Sequence, residues 1–111
     1  MELPSRHGEG RFLAEAATAE RLARDHLVVA RYLGPDGTPT EEWPLNPNGS
    51  RNAVAGVCDP SGRLFGLMPH PDAYLYPFHH PQWTKRKLAG AQVAEGDGMK
   101  IFRNGVAAAI G

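Results

Sequence analysis

Residues 53–68, with the sequence AVAGVCDPSGRLFGLM, form the clearest local unit of the chain. Two apolar segments, 53–57 and 64–68, flank the residues DPSG at 59–62, whose types are those of a tight turn. The pattern therefore predicts a β-hairpin over 53–68.

The chain before this hairpin carries alternating strand and helix signals. Residues 10–15 show a weak strand pattern, and Thr18 is placed to cap a short helix that runs to about Asp25. The β-branched run LVVARY at 27–32 indicates a buried strand. The predicted order is β-α-β.

Two turn clusters separate that strand from the hairpin. The residues GPDG at 34–37 favour a tight turn, after which 38–43 is predicted to pair back as an antiparallel strand. The residues NPNGS at 46–50 are too rich in Asn and Gly for regular structure, and they indicate a loop.

The chain after the hairpin begins with an irregular region and ends in a helix. Residues 73–94 show no clean period and predict a surface excursion without regular structure. Asp97 is placed as an N-cap, and Phe102, Val106 and Ile110 recur at four-residue spacing. We expect a terminal amphipathic helix.

The composition limits the classes of function. The 111 residues carry 12 Lys and Arg against 12 Asp and Glu, so no basic excess points to nucleic acid. No apolar run reaches the roughly 18 residues that span a bilayer, and we expect a cytoplasmic protein that binds no membrane. The single cysteine, Cys58, excludes an intramolecular disulfide and a multi-thiolate zinc site.

His70 and Asp72 are the strongest candidates for chemistry. Side chains at i and i+2 of an extended segment lie on the same side, and Pro69 and Pro71 stiffen this segment. An imidazole beside a carboxylate is what a general base and its orienting partner require. The alternative is a proline-rich surface turn with an incidental histidine.

Four other features carry weaker signals. Cys58 begins like a nucleophile elbow, but a turn and a strand follow it where an elbow needs a helix, so we expect no catalytic role. The adjacent His79 and His80 lack the spacing of a metal site, and we predict no metal ligands. The basic run at 85–87 is expected to be a solvated face. The glycine-flanked loop at 7–10 either lets backbone amides approach a ligand or is a plain loop.

Four segments taken in order resemble one family. HGEGRF at 7–12, NPNGS at 46–50, GLMPHPD at 66–72 and GDGMKIFRN at 96–104 are similar to the glutaminase domain of phosphoribosylformylglycinamidine synthase, a class I glutamine amidotransferase of purine biosynthesis. The hairpin at 34–43 looks more like the long form, in which the glutaminase is fused behind the synthetase, than the separate subunit.

The resemblance implies a fold and a site. The fold would be α/β, the carboxyl-terminal half of a flavodoxin-like domain, with a mixed sheet, a β-hairpin and a terminal helix. His70 would be the histidine of a Cys-His-Glu triad, and Asp72 would stand where the family has glutamate. The backbone around His7, Gly8 and Glu9 would hold the substrate, L-glutamine.

The resemblance also implies partners. A cysteine thiolate would attack the glutamine amide, and His70 would protonate the leaving ammonia. The ammonia would pass to the synthetase domain or subunit, which forms the formylglycinamidine ribonucleotide. We expect no cofactor in this chain, with ATP and Mg in the synthetase partner.

Two departures from the family qualify this expectation. The family's nucleophile lies in the amino-terminal half of the domain, so residues 1–111 are expected to be a partial domain that is inactive alone and marginally stable or associated. Asp72 is one methylene shorter than glutamate, and displacements near 1 Å can cost on the order of a hundredfold in rate.

Three hypotheses stay open. The chain is either the carboxyl-terminal portion of a glutaminase or a non-catalytic relic that docks on the synthetase or binds glutamine without turnover. A small metal-binding protein that uses His79 and His80 is a third hypothesis.

Overall fold

The computed structural model describes residues 1–111 and contains three strands and three α-helices. In chain order these are α1 (Ala16–Arg24), β1 (Val28–Arg31), β2 (Val54–Cys58), β3 (Phe65–Leu67), α2 (Trp83–Leu88) and α3 (Gly98–Ile110). Single 3₁₀ turns lie at Arg51–Ala53, Pro71–Ala73 and Pro77–His79. The chain divides into two units, one of His7–Met68 and one of Met1–Arg6 with Pro69–Gly111, and each is described by itself.

The predicted hairpin is confirmed in the first unit. Strands β2 and β3 pair antiparallel, with Val57 opposite Gly66 and Cys58 opposite Phe65. The turn between them is closed by the carboxylate of Asp59, which accepts a hydrogen bond of 2.9 Å from the backbone N–H of Leu64. Asp59 therefore closes the turn that the residue types at 59–62 predict.

The sheet has the order β1-β2-β3 and is antiparallel throughout. The α/β class is confirmed, but the sheet is not mixed, and the predicted β-α-β order is wrong. No strand forms over 10–15, because the backbone of Phe12 bonds to a loop instead. Its N–H donates to the Ser50 hydroxyl at 2.9 Å, and its carbonyl accepts from the N–H of Arg51 at 3.1 Å.

The strand predicted at 27–32 is confirmed as β1, although it is not fully buried. Val29 is 47% exposed. The turn predicted at 34–37 is present, and the return pairing is short: a single bridge joins Leu33 to Pro39. Proline has no N–H to donate, so it cannot extend a ladder.

Helix α1 ends where the sequence predicts and starts earlier. Glu15 occupies the N-cap position, so Thr18 lies inside the helix and the predicted cap is wrong. After the helix, His26 has a φ of 56°, and the N–H of Leu27 donates to the carbonyl of Leu22 at 2.8 Å. This left-handed residue and the bond that follows it are typical of a helix end.

The second unit is built around α3. Asp97 stands at the N-cap position as predicted, but its carboxylate accepts from Lys100 Nζ at 2.7 Å and from the N–H of Glu2 at 2.8 Å rather than capping the helix. The predicted apolar stripe faces solvent, with Phe102 45% and Val106 60% exposed. Helix α2 lies within 73–94, so the prediction of an irregular region is wrong there.

None of the helices combines the length and the apolar character that crossing a membrane would need.

Candidate functional site

His70 and Asp72 lie close together in the second unit. Nδ1 of His70 is 3.6 Å from Oδ1 of Asp72, and the two side chains are 41% and 62% exposed. The proximity predicted from the sequence is thus present. The separation exceeds that of a hydrogen bond, so the carboxylate neighbours the ring without bonding to it.

The local conformation differs from the extended stem that the sequence suggests. His70 is extended, with φ −101° and ψ 97°, but Asp72 lies inside the 3₁₀ turn Pro71–Ala73. The turn brings the carboxylate back toward the ring. Proline at the first position favours such a turn because its φ is already near −65°.

The start of α3 packs directly on this turn. A Cβ built on Gly98 would overlap the carbonyl oxygen of Pro71, and one built on Gly96 would overlap that of Tyr74. Without side chains there, the N–H of Gly98 donates to the Tyr74 carbonyl at 2.9 Å. The glycines therefore let the helix hold the backbone that carries His70 and Asp72.

The amino-terminal segment of the same unit supports the turn from another direction. The N–H of His70 donates to the carbonyl of Pro4 at 2.8 Å. Two residues earlier, the carboxylate of Glu2 accepts from Arg86 at 2.7 Å and contacts Nε2 of His80 at 2.9 Å. The hydrogen bond from Arg86, followed by that from His80, lowers the pKa of Glu2.

The loop predicted to bind substrate lies in the first unit. Gly8 and Glu9 are exposed, and nothing lies within 4 Å of the position that a Cβ on Gly8 would take. His7 is half-buried, with Nε2 3.1 Å from the hydroxyl of Tyr32. Asn48 Nδ2 donates to the carbonyls of His7 and Gly10 at 2.9 and 3.0 Å. One side of the loop is therefore anchored and the other is open.

A buried polar cluster presents Asn48 to this loop. Asn46 and Ser50 are each 1% exposed. The amide of Asn46 donates to the carbonyl of Ser50 at 2.8 Å and accepts from the N–H of Ser50 at 2.9 Å, which closes residues 46–50 into a rigid turn.

Sequence reasoning placed 46–50 in a loop and missed the function of its side chains. The signal in the sequence is the spacing: Asn46, Asn48 and Ser50 are polar residues at alternate positions of one short segment. Short polar side chains that bond to nearby backbone act as structural ties.

The remaining candidates are engaged elsewhere. Cys58 ends β2 and is not in a disulfide, and a turn and β3 follow it as expected. His79 packs edge-on against the rings of Tyr76 and Phe78, while His80 faces Glu2. No three His, Cys, Asp or Glu side chains are grouped so that they could hold a metal ion.

The basic run predicted at 85–87 lies on α2. Arg86 bonds to Glu2, and Nζ of Lys87 lies 5.9 Å from the ring centroid of Trp83. Lys85 and Lys87 are exposed, in keeping with a solvated face.

The comparison with known proteins agrees with the family that the four sequence segments resemble. A family model described as a CobB/CobQ-like glutamine amidotransferase domain matches residues 1–107. A phosphoribosylformylglycinamidine synthase subunit PurQ from Methanococcus maripaludis strain S2 is 37% identical over 115 residues, covering 94% of this chain and 41% of the relative. One of the same name from Dehalococcoides mccartyi is 39% identical over 106 residues, covering 96% and 38%.

A third relative with this name, from Corynebacterium jeikeium, is 50% identical over 70 residues, or 63% of this chain and 26% of the relative. The chain thus spans about two fifths of the length of the first two relatives. All three are named as subunits, whereas the segment at 34–43 led us to expect the fused form.

Proposed function

The chain belongs to the CobB/CobQ-like glutamine amidotransferase domain family, and we propose on that premise that it provides the acid-base half of a glutaminase of purine biosynthesis. The substrate would be L-glutamine. The ammonia would serve the formation of formylglycinamidine ribonucleotide, in keeping with the names of the relatives.

One observation carries this proposal: the imidazole of His70 stands beside the carboxylate of Asp72 on an anchored turn. The backbone is fixed by Pro4 on one side and by Gly98 on the other, while both side chains reach solvent. A proton-transfer pair needs this combination of a fixed backbone and an accessible ring.

The chemistry follows the resemblance stated from the sequence. A thiolate attacks the side-chain carbonyl carbon of glutamine, and the C–N bond breaks as the His70 imidazolium gives its proton to the leaving ammonia. Neutral His70 then takes a proton from water, whose oxygen attacks the thioester and releases glutamate and thiolate. Asp72, 3.6 Å from the ring, stabilises its charged form by electrostatic attraction.

The thiolate is proposed to come from polypeptide outside residues 1–111. Cys58 pairs with Phe65 in the hairpin, which suits a ladder residue rather than a nucleophile. The first unit also offers a place for a complementary segment. Strands β1 and β3 are the outer strands of the sheet, and side chains of α1 and β1 line a groove of about 640 Å³. In the complete domain this sheet would become flavodoxin-like.

Substrate binding is assigned to the open side of the loop that contains His7, Gly8 and Glu9. Backbone N–H groups there are suited to the polar end of an amino acid, because Gly8 leaves room for close approach. The partners are then the complementary half of the domain and a cytoplasmic synthetase, which would hold ATP and Mg.

A second candidate is a relic that docks on the synthetase without turnover. The distance of 3.6 Å between His70 and Asp72 favours it, since the shorter acid does not reach the ring. If the chain is instead part of a glutaminase, as proposed above, aspartate in place of glutamate lowers the rate of hydrolysis without abolishing it.

A reconstitution experiment tests the proposal. This chain is mixed with an amino-terminal segment that carries a Gly-x-Cys-x-Gly motif, and ammonia release from L-glutamine is measured. We expect release from the mixture and none from either part alone. A mixture as inactive as its parts would favour the relic.

A further inference from the structure

Two carbonyl groups of the loop at 7–10, those of His7 and Gly10, converge on one side-chain amide. We propose that Asn48 is a positioning residue that fixes this loop and holds His7 in the tautomer protonated at Nε2. The inference deepens the proposed function, because it rests on the assignment of the same loop to glutamine binding.

The orientation of the Asn48 amide follows from its neighbours. Its Nδ2 lies 2.9 Å from the carbonyl oxygen of His7 and 3.0 Å from that of Gly10. Exchanging the amide nitrogen and oxygen would place three oxygens together, which no hydrogen bond could relieve. The group that faces the loop is therefore the NH₂.

This orientation determines the tautomer of His7. Nδ1 of the ring lies 3.1 Å from the same Asn48 nitrogen, which can only donate, so Nδ1 must accept. The proton of the neutral ring is then on Nε2, 3.1 Å from the hydroxyl oxygen of Tyr32, which accepts it. Asn48 Nδ2 carries two protons and lies near three acceptors, so one proton is divided between two acceptors.

Packing holds the ring in this place. A Cβ on Gly10 would lie 2.5 Å from Nδ1 of His7, so the ring is folded over the glycine. Tyr32 is 9% exposed, and burial raises the pKa of its hydroxyl. Asn48 is itself presented by the buried pair of Asn46 and Ser50.

Both amide protons of Asn48 bond to groups of the loop itself. Asn48 therefore affects a ligand only through the conformation of the loop backbone. A loop already in its binding conformation loses less entropy when it binds. Asn48 is thus assigned a positioning role, without contact to the substrate.

The test uses the ring nitrogens of the ¹⁵N-labelled full chain, observed by NMR at a pH where His7 is neutral. We expect Nδ1 to be unprotonated and Nε2 protonated in the wild type. In Asn48→Asp, a carboxylate that only accepts replaces the donor, so the proton should move to Nδ1. Tyr32→Phe removes only the acceptor of Nε2–H and should leave the tautomer unchanged.

Asn104→Asp is the matched control, because it makes the same chemical change at an exposed position on α3. A wild-type ring protonated at Nδ1 would overturn the proposal without any variant. So would a tautomer that is the same in Asn48→Asp and in the control.

Titration with L-glutamine separates this proposal from the one on which it rests. We expect the affinity of Asn48→Asp to fall on the order of tenfold, as for the loss of one hydrogen bond, with no change in Asn104→Asp. If the wild type does not bind glutamine, the assignment of the binding site is wrong. The tautomer of His7 then tests the role of Asn48 by itself. Equal affinities in Asn48→Asp and the wild type would contradict that role.

Discussion

The imidazole Nδ1 of His70 lies 3.6 Å from the carboxylate Oδ1 of Asp72, a separation too long for a hydrogen bond. The 3₁₀ turn fixes the backbone between them, so a closer approach has to come from the side chains. The resemblance implies glutamate at position 72. Its side chain has one more methylene, which would let the carboxylate reach further.

We therefore predict that Asp72→Glu raises the glutaminase activity of the reconstituted domain by up to about a hundredfold, the range associated with displacements near 1 Å. Asp72→Asn keeps the length and removes the charge, and it should lower kcat. The measurement is steady-state glutamate release. An Asp72→Glu variant slower than the wild type would show that the shorter acid is already suited to the ring.

The contact of Gly98 with Pro71 predicts a stability difference between two glycines of α3. Gly98→Ala forces a methyl group into the Pro71 carbonyl and should lower the free energy of unfolding by about 1–3 kcal/mol. Gly105→Ala meets nothing within 4 Å and should raise it by about 0.5–1 kcal/mol. Urea denaturation compares the two, and equal effects of the same sign would contradict the packing described.

The buried cluster at 46–50 predicts a large cost for a small truncation. Asn46→Ala removes the hydrogen bonds that its amide makes to the backbone N–H of Ser50 and to the carbonyls of Thr40 and Ser50, which should cost about 2–3 kcal/mol of unfolding free energy. Asn104→Ala, at an exposed position on α3, should be neutral or slightly stabilising. Thermal unfolding followed by circular dichroism tests the pair. If Asn46→Ala lowers the stability no more than Asn104→Ala does, the buried cluster does not stabilise the fold as described.

The antiparallel hairpin at β2 and β3 was predictable because its signals are local. Alternating apolar segments and the turn residue Asp59 lie within 16 residues of each other. The sheet as a whole was not, because the strand pattern at 10–15 depends on a distant group. Phe12 bonds to Ser50, 38 residues away, and the sequence contains no local sign of that choice.

The candidate site was predictable in its residues and not in its geometry. The spacing of His70 and Asp72 brought the pair to attention, but the 3₁₀ turn that joins them is a feature of the packing under Gly98. Asn48 was missed because Asn-rich segments indicate turns whether or not their side chains tie other loops. Helix α2 was missed because six residues are too few to show a helical period.

The hairpin turn predicts a pH dependence. The hydroxyl of Ser61, followed by the N–H of Leu64, donates to Asp59 and lowers its pKa from 3.8 to about 2. A lowered pKa means that the ionised carboxylate stabilises the fold above pH 3.8, and that this stabilisation is lost as the pH falls toward 2.

A ¹³C NMR titration of the Asp59 carboxyl should show this midpoint, and Asp59→Asn should lose that part of the acid dependence of unfolding. A midpoint near 3.8 would show that the turn does not bind the carboxylate in solution.

The central claim is that His70 moves the proton in glutamine hydrolysis. The most direct measurement is kcat/KM for ammonia release by the reconstituted domain carrying His70→Asn, with His26→Asn, at the exposed residue after α1, as the control. We predict a loss on the order of 10²–10⁴-fold for His70→Asn, the usual contribution of a general acid-base group, and no loss for His26→Asn. Equal kcat/KM values in the two variants would contradict the account.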